Sequence, residues 1–155
     1  MKTTKHITAE AALVRAEELC ARSEHCSGEI REKLYKWGIG EAEREKIIAQ
    51  LIERRFVDDE RFARIFARDK VEFSGWGRRK IALALYQKHI DRKIINDTLT
   101  GIDPERYEQR LHEVLASKHR TIPDADTYEG RTRLYRFAAS RGFEPDLIAK
   151  ILRKQ

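Results

Sequence analysis

The strongest constraint on this chain's fold is a threefold repeat of apolar positions. Three segments align without gaps: SGEIREKLYKWGI (27–39), RRKIALALYQKHI (78–90) and RTRLYRFAASRGF (131–143). Apolar residues coincide as Ile30/Ile81/Leu134, Leu34/Leu85/Ala138 and Ile39/Ile90/Phe143. The first two positions are four apart, which puts them on one face of a helix. The third lies beyond a helix end that Gly38 and Gly142 mark in two copies, because glycine readily takes the left-handed conformation that stops a helix. His89 holds that place in the second copy, which leaves the stop there without its usual residue.

Each segment is flanked by two further helical patterns. Upstream lie TAEAALVRAEELCAR, DDERFARIFARDKV and DPERYEQRLHEVLAS, whose starts carry N-cap signals: Thr8, Asp58 or Asp59, and Asp103 followed by Pro104. Downstream, Ile47/Ile48, Ile94/Ile95 and Leu147/Ile148 are each followed by a leucine four or five residues on, and the first of these helices reads about one turn longer than the others. The chain therefore predicts an all-α tandem array of three three-helix units, 1–57, 58–102 and 103–155. A unit this small buries little apolar surface alone, so neighbours must pack together in an elongated, curved molecule. TIPDADTYEG (121–130) is the longest predicted loop and the expected place for unit three to move relative to unit two.

Composition agrees with helices and narrows the setting. Charged residues make up 37% and aromatics 8%, with few Pro or Gly. No apolar run approaches the roughly 20 residues a bilayer needs, and MKTTKHITAEAAL has no apolar leader core. The reading is cytoplasmic, with Cys20 and Cys26 as thiols. The net charge of +6 suits a nucleic acid or an acidic protein surface, and equally a helical protein with a mild basic excess. The placement of the charge has to decide.

FSGWGRRKI (73–81) puts Arg78, Arg79 and Lys80 at a predicted helix start, where the dipole disfavours cations. Arg131 and Arg133 match Arg78 and Lys80 in the third copy, whereas the first has Ser27 and Glu29, an ordinary cap and acid. The mismatch costs a few tenths of a kcal/mol per charge, about what a bound phosphate or carboxylate would reverse. The alternative is that the long side chains bend into solvent. Lys88 and Arg141 match in the last turn, where cations are favoured locally, and Trp37 shares that position. All three are candidate partner contacts, and Trp37 suits packing equally well. Trp76 suits either stacking on a base, worth about 1–3 kcal/mol, or filling a joint between units. Arg61, Arg64, Arg68 and Lys70 lie among acids and read as a solvated face.

Catalytic and metal patterns are missing. GWGRRK lacks P-loop spacing. Cys20, His25 and Cys26 have no matching second pair, and His112 and His119 are two helical turns apart with no H-E-x-x-H pattern. Asp58 and Asp59 face different ways on a helix, and no nucleophile–base set is visible. The residues call for no metal or cofactor and do not argue for an enzyme.

CSGEIREKL (26–34), RRFVDDERFARIFARDK (54–70) and GWGRRKIALALYQKHI (75–90) together resemble the RecX family of bacterial recombination regulators. The likeness covers about residues 8–152. It departs at Lys88-His89-Ile90, where the family usually has glycine in the middle. The resemblance implies a monomeric, non-catalytic modulator of the RecA recombinase, built of three three-helix units. It would lie in the helical groove of a RecA–single-stranded-DNA filament, also contact single- or double-stranded DNA, and hinder ATP turnover and strand exchange. On that expectation Trp76, Arg78, Arg79, Lys80, Arg131 and Arg133 form the contact surface. The alternative is a stand-alone basic DNA-binding module with no RecA target.

Overall fold

The structure, a computed structural model, describes residues 7–153. Residues 1–6, on which the absence of a leader was partly read, lie outside the described residues. The first unit comprises α1 (Ala9–Arg22), α2 (Ser27–Lys36) and α3 (Glu41–Glu53). The second comprises α4 (Asp59–Asp69), a π-helical turn (Lys70–Ser74), α5 (Arg78–Gln87) and α6 (Arg92–Thr100). The third comprises α7 (Pro104–His119), α8 (Tyr128–Ser140) and α9 (Pro145–Arg153). There is no strand among the described residues. α3 has 13 residues against 9 in α6 and in α9, the extra turn that its sequence carries.

Local chemistry sets the helix ends. Thr8 Oγ1 accepts from the Ala11 N–H at 3.1 Å, and Asp103 accepts from Glu105 at 3.2 Å. Of the two adjacent aspartates, Asp58 is the cap and accepts from Arg61 at 3.0 Å. The three middle helices end in one shared motif. Ile39, Ile90 and Phe143 each donate to the carbonyl of the residue five back, Leu34, Leu85 and Ala138. The left-handed residue in each is Gly38, His89 and Gly142. His89 adopts φ 61° and so makes the same stop without glycine. Ile39, Ile90 and Phe143 are then driven under their own helices and buried.

Each unit has its own core, built on the repeat positions: Ile30 and Leu34, Ile81 and Leu85, Leu134 and Ala138. The units are not independent, since Cys26 of the first is buried in the core of the second. Among the described residues, the hydrogen bonds between units join neighbours. Ser27 donates from its N–H and hydroxyl to Asp59 at 2.7 and 2.6 Å, and Arg61 pairs with Glu24 at 3.0 Å. Arg106 pairs with Glu72 at 2.7 Å, and Arg110 donates to the Val71 carbonyl at 2.9 Å.

Three expectations are corrected. Ser27 is not the cap of α2. Cys26 holds that position, its N–H donating to Glu29 at 3.1 Å, and Ser27 is the first helical residue. α8 starts three residues earlier than its alignment implies, because Thr127 caps it by accepting from Gly130. The 121–130 stretch lies within unit three and packs inward on buried Ile122 and Ala125, so it is no hinge between units two and three.

Candidate functional site

The middle helices are stacked end to end, and the site follows from how they meet. A helix start leaves N–H donors unpaired and carries a positive partial charge. At the start of α5 three of those donors are already taken. Gly77 N–H donates to the Arg141 carbonyl at 2.7 Å and Arg79 N–H to the Gly142 carbonyl at 3.0 Å. Arg78 N–H donates to the Tyr107 hydroxyl at 3.0 Å. The negative pole of α8 thus faces the positive pole of α5, and this is how α5 tolerates three leading cations. An anion therefore cannot rest on the Gly77, Arg78 and Arg79 N–H groups while this joint is closed, because all three are occupied. The approach is close enough to require glycine. A Cβ on Gly77 would lie 2.3 Å from the Gly142 carbonyl carbon, and one on Gly142 would lie 2.4 Å from Lys80 N.

The three cations then diverge. Arg78 turns into the joint, where it pairs with Glu144 at 2.9 Å, donates to the Leu99 carbonyl at 3.3 Å and lies 3.9 Å from the Tyr107 ring centroid. The Tyr107 hydroxyl donates to Glu144, and burial together with that bond raises the phenol's pKa well above its usual value. Arg78 is therefore a structural residue of the joint. Arg79 is exposed. Lys80 Nζ lies 4.6 Å above Trp76, and Lys70 Nζ lies at the same distance from that ring. Phe66 meets Trp76 edge-on at 6.3 Å. On the α8 side, Arg141 and Lys118 share Phe137 at 5.1 and 4.9 Å.

The neighbouring joint shows what is unusual here. Where α5 meets α2, Lys88 at the end of α5 pairs with Glu29 in the first turn of α2 at 2.9 Å. Although burial alone would raise the Glu29 pKa, the Lys88 and Cys26 hydrogen bonds bring it below its ordinary value. The matching positions where α8 meets α5 are Arg141 and Lys80. At these aligned positions one joint has an attractive pair and the other has two cations, neither ion-paired among the described residues, although Arg78 and Glu144 pair elsewhere in the second joint. Each of the two cations lies instead over an aromatic ring, Lys80 over Trp76 and Arg141 over Phe137, and neither has the carboxylate that the sister joint supplies to Lys88.

The other sequence-derived candidates fall elsewhere. Arg131 donates to the Asp126 carbonyl at 2.8 Å and Arg133 pairs with Asp124 at 2.6 Å, so both brace the turn before α8 and neither sits at a helix start. Trp37 packs half-buried against the first core under Arg15, which lies 4.6 Å from its ring. Lys88 is the joint residue described above. Trp76 and Lys80 are brought together on one side of the joint, Arg141 lies on Phe137 on the other, and Arg79, between Trp76 and Lys80 in sequence, is exposed. Lys70 joins Trp76 and Lys80, and Lys118 and Phe137 join Arg141, none of them foreseen as a contact residue, since no spacing rule links residues across a π-helical turn or between units. Phe73 on that turn is 82% exposed. Among the described residues, no cluster of three or more His, Cys, Asp or Glu could hold a metal ion, and no helix is long and apolar enough to cross a membrane.

Comparison with known proteins bears on this geometry. Family models of the first, second and third RecX three-helix domains match residues 12–51, 58–99 and 105–152. The regulatory protein RecX of Clostridium botulinum (strain Alaska E43 / Type E3) is 31% identical over 128 residues, covering 81% of this chain and 59% of the relative. That of Chromobacterium violaceum is 33% identical over 138 residues, covering 89% of this chain and 86% of the relative. The chain thus spans about 59% of the length of the first curated relatives it matches. The crystal structure of RecX from Lactobacillus salivarius superposes with a TM-score of 0.84, at 21% identity, over 94% of this chain and 95% of that one. At that identity the likeness is one of fold.

Proposed function

The chain belongs to the RecX family, and from that premise we propose that it is a non-catalytic, cytoplasmic regulator of the RecA recombinase, acting as a monomer. It lies as a curved array along the groove of a RecA–single-stranded-DNA filament, bridges neighbouring subunits and hinders the motions that accompany ATP turnover and strand exchange. The units that do this are 1–57, 58–102 and 103–155.

One observation carries the reading: the α8–α5 joint holds Lys80 and Arg141 where its sister joint holds the Glu29–Lys88 pair. Selection for stability alone favours the pair. Lys70, Arg79 and Lys118 add charge around them, and Trp76 and Phe137 supply ring faces. Cations interleaved with aromatics suit a nucleic-acid backbone with unstacked bases, or acidic side chains on the recombinase. Arg131 and Arg133 extend this basic surface along α8, while Arg78 contributes by fixing the joint.

The test is the single-stranded-DNA-dependent ATPase rate of the cognate RecA as the protein is titrated in, with DNA in excess and at two salt concentrations. Inhibition at substoichiometric protein is expected, and Lys80→Glu with Arg141→Glu should weaken it while helicity is retained. No effect on the ATPase with DNA binding intact would instead favour a stand-alone DNA-binding module. Such a module's affinity should fall with salt at a log–log slope of about −0.9 per duplex phosphate contacted.

A further inference from the structure

The groove between α8 and α9 shares Arg131 with the surface described above and none of the residues at the α8–α5 joint. It has a volume of about 650 Å³, and its lining includes Tyr128, Arg131, Tyr135, Arg136, Leu152 and Arg153. One face of each helix builds it. Tyr128, Arg131 and Tyr135 follow helical spacing on α8, and Ala149, Leu152 and Arg153 follow it on α9. Leu152, Ala149 and half-buried Tyr135 form an apolar floor, while Tyr128 stands at the rim 76% exposed. No acidic residue is among the described residues that line it. The chain has 26 Asp and Glu to 32 Lys and Arg, and Arg133 on the same helix does have a carboxylate partner, Asp124. Arg136 and Arg153 are exposed and make no ion pair among the described residues.

We propose that this groove docks a short acidic segment of a partner protein, an amphipathic helix with one apolar anchor flanked by Asp or Glu. A cleft between two helices with an apolar floor is the receiving half of helix-in-groove recognition. Guanidinium groups match carboxylates with two parallel hydrogen bonds, which makes an arginine rim selective for acids. A single nucleic-acid strand is the weaker fit. Such strands bind by stacking successive bases on ring faces, and here Tyr135 lies half-buried in the floor beside Leu152 and Ala149 while Tyr128 alone of the two rings stands clear. The inference does not depend on the RecA reading, because it uses none of the residues at the α8–α5 joint.

The test uses the full chain and fluorescein-labelled helical peptides in which Leu, Phe or Trp is flanked by Asp and Glu. Their Asn/Gln counterparts and a labelled oligothymidylate serve as comparators. The acidic peptides should bind, with amide shifts centred on Tyr128, Tyr135 and Leu152. Their affinity should fall by about tenfold or more both for the neutral counterparts and in the Arg136→Glu, Arg153→Glu double variant. Lys80→Glu should leave it unchanged. Failure of every acidic peptide to bind, or binding that the double variant does not weaken, overturns the proposal. So does oligothymidylate binding that the double variant abolishes while the peptides do not bind, which would make the groove a nucleic-acid site. Dimerisation that the same variant abolishes would make it a contact between copies and likewise overturn it.

Discussion

Substituting Gly77 with alanine isolates the backbone contact between α8 and α5, one of several that hold unit three to unit two. The added Cβ would lie 2.3 Å from the carbonyl carbon of Gly142 and from the Phe143 nitrogen. Both are backbone atoms, so no side-chain rotation relieves the overlap and the two helix ends must separate. Separation breaks the bonds from Gly77 to Arg141, Arg78 to Tyr107 and Arg79 to Gly142. At about 1 kcal/mol each, the expected loss is about 3 kcal/mol. Gly77 is also the N-cap of α5, and alanine is a poorer cap at a cost of up to about 1 kcal/mol. Gly40 supplies the control, since it is the N-cap of α3 and a Cβ there meets nothing within 4 Å. Urea denaturation of Gly77→Ala and Gly40→Ala, with amide exchange at Arg79 as a local reporter, separates the two effects. Gly77→Ala should be less stable than Gly40→Ala by about 3 kcal/mol, with early exchange at Arg79. Stabilities within about 0.5 kcal/mol of each other would refute the claim that the two backbones must touch.

Other outcomes follow from the same structure. Lys80→Glu recreates at the α8–α5 joint the acid–cation pair of its sister joint. It should raise stability by about 0.5–1 kcal/mol while weakening single-stranded DNA binding, and a drop in melting temperature would count against the comparison of joints. His89→Gly removes the cost of a left-handed histidine and should stabilise by about 0.5–1 kcal/mol in thermal melts. The Glu29–Lys88 pair is about 30% exposed on each side, so a double-mutant cycle to alanine should return about 1 kcal/mol or less of coupling. Burial pushes the Cys26 thiol up from 9.0 to about 11. The folded chain then holds a proton that the unfolded chain releases first, so this contribution to stability is complete below pH 9.0 and lost as pH rises towards about 11. Cys26→Ala should flatten the fall in urea stability over that range.

Much of the fold was legible in the sequence because it is written in short-range chemistry. Apolar residues four apart, caps at Thr8, at Asp58 or Asp59 and at Asp103, and glycines after two of the middle helices determine the helices and their number. Even the stop at His89 follows from its neighbours, since Leu85 and Ile90 provide the same bond and the same burial as in the glycine copies. The alignment also placed Lys80 at the start of one middle helix and Arg141 at the end of the next, though it could not say that those ends meet.

What each cation does was decided by the tertiary structure. Arg78, Arg79 and Lys80 are adjacent in sequence and look alike there. In the folded chain one is consumed by Glu144 and Tyr107, one stands in solvent and one covers Trp76. Arg131 and Arg133 seemed their counterparts until Thr127 moved the start of α8 and Asp124 took up Arg133. The physical reason is range. Helix propensity, capping and periodicity act over a few residues, so the sequence by itself determines them. A side chain's charge is paired or left free by groups distant in sequence that the packing of units brings within a few ångströms, and only the assembled joint determines which.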